Sequence, residues 1–203
     1  MKKIHFLAFQ LACLSLLVSI SFTSSAQLQL KPEALKKGDK APSFVSTDYK
    51  NRTVRLDDLT HKGKVVLVFY RGQWCPYCNR YLSALQDSLQ QITAKGASVI
   101  AISPEVAANV EKTIDKTKAT FTIIPDKDYK LSRLYKTAYA VDAITLDKMK
   151  KYGIDMEAAH GNKETNLPVP ATYIINQSGT IIFADFDPNY KHRPSVKSLL
   201  QAL

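Results

Sequence analysis

The chain has 203 residues, 45% of them hydrophobic and 23% charged, with a formal net charge of +10. That length allows one domain able to bury a full core without disulfide staples. The lysines are dispersed, with no basic stripe interleaved with aromatics, so the charge reads as a solvated surface and no nucleic-acid partner is implied.

In chain order, Met1, Lys2 and Lys3 precede an apolar run over 4–20 and the small-residue stretch 21–26, which predicts a secretory signal peptide cut after Ala26. Gln10 and the serines make this run a poor membrane anchor, so no stable anchor is expected and the mature protein is expected in the periplasm. Cys13 leaves with the leader, and Gln10 stands where a lipid-attachment site wants an aliphatic residue. Residues 27–37 form a polar lead-in, and the domain proper runs over 38–203.

A hairpin is predicted to pair 44–47 with 53–56, followed by a strand over 65–70 and a helix from the cysteine pair to Ile92 with Leu82, Leu85, Leu89 and Ile92 on one side. A strand over 98–103, a helix over 104–116, a strand over 120–124 and a short helix over 129–135 follow. The late elements are a hairpin of 171–176 with 180–184 turning at 177–179, then a closing helix over 194–203. This alternation predicts an α/β fold with a mixed sheet. Residues 141–165 interrupt it as a helical insertion, read as packed beside the sheet through Leu146, Met149 and Tyr152, or alternatively as a cover over the active site.

Beyond the leader only two cysteines remain, in Trp74-Cys75-Pro76-Tyr77-Cys78, directly after the apolar strand. A nucleophilic thiol must be a thiolate, and the N–H groups and dipole of a helix N-terminus favour that anion at Cys75. Pro76 suits the first helical turn, and Cys78, one turn on, can reach back to close a disulfide. So short a ring is a weak staple, which points to redox chemistry. Zinc wants four cysteines or two cysteines with spaced histidines, whereas His61, His160 and His192 are scattered, so neither metal nor cofactor is implied.

Gly38-Asp-x-Ala-Pro-x-Phe44, the run from Val65 through Cys78, Ala101-Ile-Ser103 and Val169-Pro-Ala-Thr-Tyr-Ile-Ile-Asn176 resemble the thioredoxin superfamily. Within it the chain is similar to the alkyl hydroperoxide reductase and thiol-specific antioxidant (AhpC/TSA), peroxiredoxin-like branch. The resemblance implies a thioredoxin-like fold, a central mixed sheet flanked by helices with the insertion before the late hairpin. Laid on the peroxiredoxin motif, Cys78 falls on the peroxidatic cysteine, Cys75 on its threonine, Arg71 on its proline and Pro170 on its arginine. Arg71 or Arg193 is then left to supply positive charge. Laid on thioredoxin, Trp74 precedes the attacking Cys75, Cys78 resolves, and Pro170 is the cis-proline facing the pair and freeing the Val169 backbone for an incoming peptide. Phe69 stands where thioredoxins bury an aspartate, which leaves Asp48, Glu157 and Asp187 unranked as proton acceptors. Pro76-Tyr77 between the cysteines resembles glutaredoxins.

The expected function is an exported thiol-disulfide oxidoreductase acting through Cys75 and Cys78, with Trp74, Pro76, Tyr77, Arg71 and Pro170 shaping the site. The alternative is a peroxidase reducing hydrogen peroxide or alkyl hydroperoxides, restored by a thioredoxin-like donor. A metal-handling protein using His160 or His192 is a more remote third. Protein disulfide or peroxide is the expected substrate, and the oligomeric state is left open.

Overall fold

The computed structural model describes residues 34–203. The expected leader, with Cys13, and most of the lead-in lie outside the described residues. Chain order is β1 (Val45–Thr47), β2 (Thr53–Arg55), α1 (Leu56–Lys62), β3 (Lys64–Phe69), α2 (Pro76–Asp87), α3 (Leu89–Ala94), β4 (Ala97–Ser103), α4 (Ala107–Thr117), β5 (Thr122–Pro125), α5 (Lys130–Leu134), β6 (Ala138–Ala140), α6 (Ala143–Lys151), α7 (Met156–His160), β7 (Asn166–Pro168), β8 (Ala171–Ile175), β9 (Ile181–Phe186) and α8 (Val196–Ala202).

Strand β3 is apolar on both faces, so it can only be central, with a layer covering each side. It is the middle of a sheet ordered β5-β4-β3-β8-β9. Strands β4 and β5 continue parallel on one side, while β8 and β9 run antiparallel on the other. Val66 and Val68 pack with Leu82 and Leu85 of α2, Ile92 of α3, Val110 of α4 and Leu199 of α8. Val65, Leu67 and Phe69 face the opposite way, onto Phe44, Val54, Leu56, Leu131, Tyr135 and Tyr173. The expected α/β architecture, a mixed sheet flanked by helices, is therefore present.

Helix α1 stands where no helix was expected, between the hairpin and β3, and two helix boundaries shift by more than two residues. The helix expected to reach Ile92 breaks at Ser88 (φ −102°, ψ 6°), where Asp87 and Ser88 are weak helix formers, yet both pieces keep their apolar side inward. The helix expected from Pro104 begins only at Ala107, because the chain leaves β4 through a turn in which the Glu105 N–H donates to Ser103 Oγ at 3.3 Å.

The insertion is tied at its base by the antiparallel β6–β7 pair. Its apolar residues do not rest on the sheet: Val141, Met149, Met156 and Leu167 form a cluster of their own, with Leu146 and Trp74 packed against it. Helix α7 docks on α4 where the Ala159 carbonyl accepts the Val106 N–H and Asn109 Nδ2, both at 3.1 Å. Tyr152, expected in the core, is 84% exposed, since α6 ends beside it and leaves its ring beyond the packed face. The insertion thus stands beside Trp74, nearer the alternative placement than the preferred one. Leu167→Ala is expected to cost about 2–4 kcal/mol and Tyr152→Ser less than about 0.5 kcal/mol in urea denaturation; equal costs would contradict this packing.

Candidate active site

After Phe69 the chain crosses residues 70–74 and turns into α2, with the Cys75 N–H bonded to the Gly72 carbonyl at 3.0 Å. Cys75 is the N-cap: it keeps extended dihedrals, and its Sγ accepts the Cys78 N–H at 3.4 Å. Pro76 occupies the first turn, where its missing N–H leaves no unmet donor. Both thiols are free and buried, Cys75 at 1% and Cys78 at 0% exposure.

Charge favours Cys78 over Cys75. Burial pushes the Cys78 thiol up. The hydrogen bond from Cys75, the Arg193 guanidinium, the Arg71 backbone and the Arg71 charge outweigh it and hold Cys78 below the ordinary thiol value. Arg193 Nη2 donates to Cys78 Sγ at 3.1 Å. Cys75 moves the other way, raised by its hydrogen bond to Cys78, by burial and by the neighbouring sulfur's charge. Arg71 is itself buried, stacked 4.8 Å from the Trp74 ring and 4.6 Å from the Tyr190 ring. Among the described residues neither Arg71 nor Arg193 joins an ion pair with a carboxylate.

Glu105, which the sequence reading missed, is fully buried beside this loop. Its Oε2 accepts the Gln73 N–H at 2.7 Å, while Oε1 has no partner among the described residues. Burial raises its carboxyl to about 8, with the Gln73 N–H opposing, the Cys78 charge adding, and Lys116 and Lys112 opposing weakly. Gly72 is obligatory here: a Cβ would lie 2.6 Å from Trp74 Nε1 and 2.8 Å from Glu105 Oε1. The available signal was positional, because parallel neighbours β3 and β4 end at the same sheet edge, and Glu105 stands two residues past β4.

Residues 37–184 match the family model described as AhpC/TSA family. The chain belongs to the AhpC/TSA family. It is 29% identical over 150 residues to the thiol-disulfide oxidoreductase ResA of Geobacillus kaustophilus, spanning 73% of this chain and 85% of that protein. It is 26% identical over 148 residues to the putative peroxiredoxin bcp of Haemophilus influenzae, spanning 73% and 84%. In fold it resembles the crystal structure of peroxidoxin BcpB from Mycobacterium tuberculosis, with a TM-score of 0.64, 16% identity, and coverage of 83% and 96%. The chain is a thioredoxin-like oxidoreductase of this family.

For this AhpC/TSA protein the expected site residues divide. Cys75, Cys78, Trp74, Tyr77 and Arg71 come together, joined by Tyr190 and Arg193 from the segment after β9; Tyr77 and Tyr190 meet edge to face with centroids 5.8 Å apart. The cis Val169–Pro170 bond is absent: the peptide bonds of the described residues are all trans. The chain runs extended from β7 into β8, which suits the lower-energy trans form. The Val169 N–H is not free for a peptide either, since it donates to the Thr137 carbonyl at 2.8 Å. Phe69 does not lie beneath the dithiol but packs 5.3 Å from the Tyr135 ring on the other face of the sheet. Of the three unranked acids, Asp48 is paired with Arg52, Asp187 faces His192, and Glu157 is exposed on α7. His160 is bonded to the Tyr129 hydroxyl at 2.6 Å, and His192 to Asp185 at 3.2 Å, so both are engaged away from the sulfurs.

Glu105 binds its proton more tightly folded than unfolded, so its stabilising contribution is complete below its ordinary value of 4.5 and drains away as pH rises through about 8. Relative to Glu105→Gln, the parent is expected to lose about 2–4 kcal/mol between about pH 5 and pH 8. Denaturant melts of the two proteins at both pH values check this, and parallel pH profiles would contradict it.

Proposed function

We propose that this protein is a two-cysteine thiol peroxidase in which Cys78 meets a small hydroperoxide. The contact between Arg193 and the Cys78 sulfur carries the reading, because it places a fixed positive charge on the anion that must attack. Burial of both sulfurs favours a small oxidant over a folded protein. The Val169 N–H, which a thioredoxin-like arrangement would offer to a peptide, is already engaged by the Thr137 carbonyl. Polar atoms on Arg71, Trp74, Asn79, Glu105 and Arg193 that have no partner among the described residues supply donors and acceptors suited to peroxide oxygens.

In the first step the Cys78 thiolate attacks the terminal peroxide oxygen. The O–O bond breaks, Cys78 becomes a sulfenic acid, and the departing hydroxide or alkoxide takes up a proton. Cys75 then attacks that sulfur, forming the disulfide and releasing water. A dithiol donor restores both thiols by exchange, taking over the disulfide. Glu105, neutral below about pH 8, adds no charge against the thiolate.

A second reading, disulfide exchange on protein substrates initiated by Cys75, is favoured by the Cys-Pro-Tyr-Cys spacing and the likeness to ResA. Export is part of the proposal in either case, supported by the leader pattern ending at Ala26.

Trp74 is the only tryptophan and reports on the dithiol directly. Mixed rapidly with hydrogen peroxide, the reduced protein should change fluorescence much faster than a free thiol reacts. Cys75→Ser should accumulate a trappable sulfenic acid on Cys78, Cys78→Ser should be inert, and Arg193→Gln should slow the reaction at least about tenfold. Oxidation no faster than a free thiol, with rapid protein-disulfide exchange lost in Cys75→Ser, would replace this reading with the second.

A further inference from the structure

A pocket of 260 Å³ lies between α2 and the segment after β9, lined by Tyr77, Arg80, Tyr81, Lys191 and Arg193 among others. This volume lies just below the range of about 300–1,000 Å³ for drug-sized ligands and suits a smaller one. The pocket shares a wall with the dithiol: Arg193 lines it and also holds Cys78 Sγ, and Tyr81 stands 6.0 Å from the Arg193 guanidinium. Among the described residues three of its lining side chains are cationic and none is acidic. Among the described residues none of the three cations joins an ion pair. Rings hold cations at its rim, with Arg80 5.8 Å from the Tyr77 ring and Lys191 5.9 Å from the Tyr190 ring. Concentrating like charges in a concave site is unfavourable unless an anion occupies it.

We infer that this pocket is a carboxylate subsite, which receives a small carboxylate-bearing thiol, or its disulfide, and brings the ligand's sulfur to Cys78. It rests on the dithiol being redox-active and names the class of small reductant that the proposed cycle takes. The exchange is reversible and balances. Thiolate attack on the ligand disulfide gives a mixed disulfide with Cys78 and expels one ligand thiolate; attack by Cys75 then closes the protein disulfide and expels the second. Run backwards, two molecules of the ligand thiol reduce the protein.

The test compares oxidation of the reduced protein by three disulfides of similar size: dithiodipropionate, which is anionic, hydroxyethyl disulfide, which is neutral, and cystamine, which is cationic. Trp74 fluorescence gives the rates at low ionic strength. Dithiodipropionate is expected to react about tenfold faster than the neutral probe, and cystamine more slowly still. The double variant Arg80→Gln/Lys191→Gln should lose that tenfold advantage while keeping the neutral rate within about twofold. Lys148→Gln/Lys150→Gln, which removes the same charge from α6, should leave the three rates as they are. Loss of the preference in both double variants would mean a whole-protein field and overturn the subsite, as would rates that do not follow charge. No reaction of the parent with the neutral probe would mark a failure of the redox-active dithiol itself, and the subsite would fall with it.

Discussion

A sulfur anion without access to water has to be neutralised inside the fold, and the surroundings of Cys78 follow from that need. A guanidinium cannot shed its proton, so Arg193 at the sulfur and the buried Arg71 bring positive charge that no carboxylate among the described residues pairs with. Glu105 would undo the balance if ionised. Its burial keeps it protonated through neutral pH, and its bond from Gln73 fastens it to the loop that carries the cysteines. The helix start contributes differently, because the Cys78 N–H points at Cys75 and links the two sulfurs at short range.

These groups come from distant parts of the chain and meet because of strand direction. Phe69 is aligned with Ile102 of β4 and Ala171 of β8, and Ala171 with Phe186 of β9. The ends of β3, β4 and β9 and the start of β8 therefore lie at one edge of the sheet. The loop with Arg71 and Trp74, the turn with Glu105, Pro170, and the segment with Tyr190 and Arg193 all spring from that edge, as binding residues do at strand ends in α/β sheets. Trp74 joins this edge to the insertion, whose separate cluster packs on its ring. The insertion is thereby a wall of the site rather than a second layer on the sheet.

Family membership sets the scaffold, not the chemistry performed on it. The relatives include a thiol-disulfide oxidoreductase and a putative peroxiredoxin. Set against the thioredoxin pattern, the chain has paired cysteines but a trans Pro170 with an engaged neighbour. Set against the peroxiredoxin motif, the arginines beside Cys78 are Arg71 and Arg193, which stand at other positions than the motif's own arginine. The charge around Cys78 is what remains to choose between them.

The alternation of the main strands and helices, the strand that became β3 and the pair of cysteines at the start of the helix after it were legible in the sequence, whereas α1 and the β6–β7 pair were not. The legible features depend on local apolar periodicity and on two cysteines one helical turn apart, which are properties of neighbouring residues. The break at Ser88 and the late start of α4 were not, because helix ends are set by small local balances. What the tertiary structure alone decided is which sulfur carries the charge. Arg193 is 115 residues from Cys78 along the chain, Glu105 is 32 from Gln73, and each is an ordinary surface residue type until the sheet edge brings it inside. Electrostatics in a buried site act through space with little screening, so they depend on distances that spacing in sequence does not encode.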